Sequence, residues 1–92
     1  MAIMEISVET SKQSMDEIRP ALDAALAKQF PGGALKLVWN GDVLELTAMG
    51  SKGSIVFEGG QLIGKADLKP PASMMRPMIE QKMKTAFAEA AG

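Results

Sequence analysis

The chain has 92 residues, with ten Lys or Arg against eleven Asp or Glu, a formal net charge of −1 spread without long like-charge runs. That length suits one domain, residues 1–92, near the lower limit of what a single core stabilises, and the scattered charge argues against nucleic acid or an anionic membrane as the main partner. There is no Cys and no His, which excludes disulfides and thiolate chemistry and removes the commonest general base and metal ligand, so neither a metal nor a cofactor is expected.

Hydrophobic residues make up 47%, but with only three Phe and one Trp, Leu, Ile, Val and the eight Met must share the core. No stretch approaches the roughly 20 apolar residues that a spanning helix needs. No basic segment leading into an apolar run opens the sequence, and a cytoplasmic location is expected.

In chain order, residues 2–8 set Ala2, Met4, Ile6 and Val8 against Ile3, Glu5 and Ser7, the alternation of a half-buried strand. Ser14 followed by Glu17 has the spacing of a capping box. The helix it opens carries Ile18, Leu22, Ala25 and Leu26 on one stripe. Pro20 interrupts that pattern at a cost of about 3 kcal/mol or more, which predicts a kinked helix or two short ones. Pro31-Gly32-Gly33 ends the helical run.

Residues 35–68 read as four strands joined by three tight turns. Asn40-Gly41 as a two-residue turn sets Trp39 against Asp42, Leu37 against Leu44 and Val38 against Val43, with Lys36 opposite Glu45. A turn with Ser51 and Lys52 as its loop sets Ala48 against Ile55 and Leu46 against Phe57. Gly59-Gly60 sets Phe57 against Leu62, Ile55 against Gly64 and Val56 against Ile63. All three registers choose one inner face: Leu35, Leu37, Trp39, Leu44, Leu46, Ala48, Ile55, Phe57, Leu62, Ala66 and Leu68. The first strand is expected beside the fourth meander strand.

Pro70-Pro71 mark the exit from the sheet. A last helix, with Ser73 as candidate cap and Pro77 in its first turn, carries Met75, Ile79, Met83, Ala86, Phe87 and Ala90 at spacings of three and four. The fold class is therefore α+β, in the order β-α-β-β-β-β-α. An antiparallel sheet packs both helices on one face, similar to a shortened helix-grip fold.

No catalytic constellation stands out. Glu45 and Glu58 fall on the outer face of the sheet, the serines lack a base, and the glycines do not lead from a strand into a helix as a phosphate loop would. The protein is accordingly read as a non-enzyme. The candidate ligand or partner surface comprises Val38, Val43, Val56 and Ile63 on the outer sheet face, Met74, Met75 and Met78 around the start of the last helix, and Trp39 at a pocket mouth. The outer valines and isoleucine fit β propensity and also form a candidate patch for self-association into a homodimer. The methionines fit core packing and equally an adaptable apolar contact.

Trp39-Asn40-Gly41-Asp42-Val43-Leu44, then Gly50 and Gly53-Ser54-Ile55, then Ala66-Asp67-Leu68 and Pro77-Met78-Ile79-Glu80, resemble in order the motifs of the polyhydroxyalkanoic acid system family over roughly residues 35–87. These are small bacterial proteins associated with polyhydroxyalkanoate storage. A His of the family's first loop is absent here, where Glu9-Thr10-Ser11-Lys12 stand, so no role of that His carries over. The resemblance implies a non-catalytic, granule-associated accessory protein that binds the polyester surface or a granule protein. The alternative from the fold is a small module that binds an apolar ligand between helix and sheet.

Overall fold

A computed structural model describes residues 2–31, 35–48, 50–70 and 72–91. The elements run β1 (Ala2–Glu9), α1 (Met15–Gln29), β2 (Lys36–Asn40), β3 (Val43–Ala48), β4 (Ser51–Glu58), β5 (Gln61–Leu68), a 3₁₀ turn (Ala72–Met75) and α2 (Arg76–Ala91). The five strands form one antiparallel sheet in the order β1-β5-β4-β3-β2, with β1 beside β5, the fourth strand of the meander, as expected.

The inner face and the two helices share one core. Ile18, Leu22 and Leu26 from α1, Phe87 from α2, and Leu44, Ile55 and Leu62 from the sheet are its largest fully buried side chains. Each such burial contributes about 1.5–3 kcal/mol before the entropy of ordering is subtracted.

Two turns differ from their sequence reading. The first hairpin turns on Gly41-Asp42 rather than Asn40-Gly41, so Asn40 pairs with Val43, Trp39 with Leu44, Leu37 with Leu46, and Val38 with Glu45. Lys36 lies opposite Thr47, not Glu45. Gly41 takes the left-handed conformation (φ +64°), and Arg19 of α1 holds the turn by donating to the Gly41 carbonyl at 3.2 Å, with Asp42 at 3.8 Å. Local propensity favoured Asn-Gly; the contact with α1 coincides with the turn one residue further on.

The second hairpin turns at 49–50, so that Ala48 pairs with Ser51, Leu46 with Gly53 and Leu44 with Ile55; Met49 lies outside the described residues. Ser51 is a strand residue, and its buried hydroxyl accepts from the Lys69 backbone N–H at 2.8 Å, a partner that a turn position would forfeit. Both corrections shift the pairing by an even number of residues, so every side chain keeps its face. The third turn stands at Gly59-Gly60, both with positive φ, and pairs Phe57 with Leu62 and Val56 with Ile63.

Pro20 neither splits nor ends α1, which runs unbroken through it. The proline is solvent-exposed in the second turn, while Met15, Ile18, Leu22, Ala25 and Leu26 are buried on the other side; their burial exceeds the roughly 3 kcal/mol cost of a lost backbone bond and a ring clash. The capping box is half made. Ser14 is extended with no side-chain cap bond, whereas Glu17 accepts from the Gln13 N–H at 2.7 Å. The helix ends at Gln29 because Phe30 precedes Pro31 and is driven out of the helical region (φ −127°, ψ 71°). Gly32, Gly33 and Pro71 lie outside the described residues, while Pro77 does fall in the first turn of α2.

The C-terminal half of α2 is pinned. Phe87 lies on Gly64 so closely that a Cβ there would stand 2.6 Å from the ring. Thr10 joins three parts of the fold, its N–H donating to the Gly60 carbonyl at 3.0 Å and its hydroxyl to the Ala91 carbonyl at the end of α2 at 2.9 Å. Substituting Gly64→Ala is expected to destabilise the protein by about 1–3 kcal/mol through overpacking. The check is a lowered urea midpoint with unchanged slope.

Candidate functional site

Along the inner face, cross-strand rows differ in size. Trp39, Leu44, Ile55, Gly64 and Ile6 form one row, and Phe87 fills the space above its glycine. The next row, Leu37, Leu46, Gly53, Ala66 and Met4, is small at its middle. A Cβ on Gly53 would lie 2.9 Å from the Ala66 Cβ and 2.8 Å from the Lys65 carbonyl oxygen, so the sheet there is as low as it can be. Ala48 and Ser51 follow.

Above this small-residue floor stand Met75 at the end of the 3₁₀ turn and Met78, Ile79, Lys82 and Met83 of α2, and the end of α1 with the two residues after it contributes Gln29, Phe30 and Pro31. Between floor and helices lies a cleft of about 290 Å³, reached from solvent and walled mainly by apolar groups. Among the described residues no acidic side chain lines it. Close-packed interiors rarely leave voids larger than a water, and a space of this size stands at the lower end of ligand pockets, about 300–1,000 Å³.

The expected surface residues separate into three groups. Met75 and Met78 line the cleft at 39% and 44% exposure, and Met74 beside them is 81% exposed. Among the described residues these three, with Ile3 and Val38, are the large apolar side chains most open to solvent, so the strongest concentration lies at the cleft mouth. The stripe read from sequence as one core face is buried only from Met83 onward; its first turns belong to the cleft.

Val38, Val43, Val56 and Ile63 lie on the outer face in two rows. Val56 pairs with Ile63, and the β3-β4 register sets Val43 next to Val56 in that row, whereas Val38 sits in the next row beside Glu45, Ser54, Lys65 and Glu5. On the far side Val56 and Ile63 are followed by Glu58, Gln61 and Glu9.

Trp39 is placed away from the cleft. Its Nε1 donates to Asp23 Oδ1 at 2.9 Å, and the Arg19 guanidinium lies 4.6 Å from the ring centroid. Arg19 also pairs with Asp16 at 3.1 Å. The indole thus ties β2 to α1, a structural task that explains both its ring and its N–H.

Sequence reasoning missed Ala48, Gly53, Ala66 and Lys82 as site residues. The available signal was three small residues at inner-facing positions of adjacent strands, where a filled core calls for larger ones. Among the described residues no group of three or more His, Cys, Asp or Glu gathers as a metal site, and no helix is long and apolar enough to cross a membrane.

Replacing Trp39→Phe keeps the ring and removes the bond to Asp23. It is expected to lower stability by about 0.5–1.5 kcal/mol, measured by urea denaturation followed by circular dichroism, with no change in the binding of an apolar probe to the cleft. Comparison with family models, with curated proteins and with solved structures finds no match to this chain.

Proposed function

We propose that this is a non-catalytic accessory binding protein that receives an apolar chain in the cleft between the first half of α2 and the β3-β4-β5 floor. The observation that carries this reading is the cleft itself, about 290 Å³ of mainly apolar space over a floor of small residues, with no acidic group among the described lining residues. Binding there would bury methionine, leucine and ligand methylenes together, at about 0.8 kcal/mol for each methylene removed from water, and methionine side chains adjust readily to varied shapes.

The resemblance to the polyhydroxyalkanoic acid system family supplies a setting for such a protein in bacterial polyester storage, where the apolar partner is the granule surface or a granule protein. Met74, Met75 and Met78 favour this second reading, because they form an exposed apolar rim at the cleft mouth. The mixed rows of the outer face offer less continuous apolar area for a granule or for a homodimer.

The test is co-sedimentation with isolated polyhydroxyalkanoate granules alongside titration with an environment-sensitive apolar fluorophore. Ala48→Phe, which fills the cleft from its floor, is expected to weaken fluorophore binding at least tenfold while the far-ultraviolet circular dichroism is unchanged. Met74→Asp with Met78→Asp is expected to reduce sedimentation with granules, whereas Val56→Asp with Ile63→Asp is expected to leave it intact. Undiminished fluorophore binding by the filled variant would overturn the cleft reading, and undiminished sedimentation of the rim variant would overturn the granule contact.

A further inference from the structure

The cleft is apolar along its floor but not at one corner. Lys82, on α2, lies in its lining, and its Nζ stands 5.7 Å from the centroid of the Phe30 ring, another lining residue. This contact holds the ammonium at the edge of the apolar space. Gln29, the last residue of α1 and the neighbour of Phe30 in the chain, also lines the cleft.

The charge there is uncompensated. Among the described residues Lys82 has no acidic partner within ion-pair distance, as is also true of Lys12, Lys36, Lys52 and Lys69, but of these only Lys82 and Lys52 line the cleft. Lys52, also in the lining, belongs by register to the outer face, opposite Thr47 and Asp67. The Ser51 hydroxyl is taken up by the Lys69 backbone. Among the described residues the lining therefore holds a cation on the inner side of the sheet, Lys82, and no carboxylate.

We propose that the occupant of this cleft is an amphipathic monocarboxylate of medium chain length, its tail over Ala48, Gly53 and Ala66 and its carboxylate against Lys82 at the Phe30 corner. This rests on the reading of the cleft as an apolar binding site and adds the charge of the ligand to it. The tail supplies affinity through burial, and the lysine selects the acid over a neutral molecule of the same shape through a charge-assisted hydrogen bond. A second copy of the chain would bring no such headgroup unless an acidic side chain entered the same corner.

The experiment is calorimetric titration of the full chain at neutral pH and low salt with hexanoate, octanoate and decanoate below their micellar concentrations, and with decanol as the neutral counterpart, with light-scattering mass measured on the same samples. Affinity is expected to rise about three- to fourfold for each added methylene. Decanoate is expected to bind at least about tenfold more tightly than decanol, the worth of a hydrogen bond to a charged group. Lys82→Met, which retains the apolar stem, should abolish that preference, and Lys28→Met, outside the lining, should leave it unchanged. Equal binding of decanoate and decanol, or a preference that survives Lys82→Met, overturns the carboxylate proposal while leaving the apolar cleft in place. Binding of neither probe overturns both, as does a dimer that excludes them.

Discussion

The contact between Phe87 and Gly64 sets the height of α2 above the sheet. Because the glycine has no side chain, the ring descends onto the strand, and Ala86, Ala90 and Ala91 bring the rest of that helical segment down with it. Thr10 closes the same end by donating its hydroxyl to the Ala91 carbonyl in the last turn of α2. A helix fixed so low at one end can be lifted at the other only by bulky side chains beneath it. The floor there is Ala48, Gly53 and Ala66, which do not reach up to fill the space. The cleft follows from two sets of small residues used in opposite ways, one filled by an aromatic ring and one left open.

The opposite wall depends on α1. Arg19 and Asp23 hold Trp39 and the Gly41-Asp42 turn, which fixes α1 along the β2 side of the sheet. Its last residues then deliver Gln29, Phe30 and Pro31 to the cleft. The proline that ends the helix is thus also part of the wall. Neither helix forms the site alone, and the corner at Lys82 is where α2 meets the Phe30 ring that follows α1.

The methionines show how a single stripe can serve two ends. Met83 is buried at 5% exposure and belongs to the core, whereas Met75, just before α2, and Met78 in its first turn remain accessible. Their flexible side chains suit a mouth that must accommodate an entering chain. The outer sheet face is organised differently, with charged and polar rows on both sides of Val56 and Ile63, a pattern suited to solvent contact.

Alternation by itself determined the element order, the α+β class and the inner face, because a side-chain period of two survives the even register shifts by which two of the three turns were misread. Turn position was not legible at Asn40-Gly41, since the contacts of Arg19 with that turn come from a helix some twenty residues away, nor at Ser51, whose hydroxyl is engaged by Lys69. Pro20 was overestimated for the same reason: its cost is local and legible, while the burial that offsets it is not. The methionines at the cleft mouth could be picked out by their spacing at the start of the last helix. Whether small inner residues would be covered by a ring or left as a floor was decided only when α2 came down on Gly64, because a helix's height over a sheet is a property of packing between distant segments and not of either segment's own pattern.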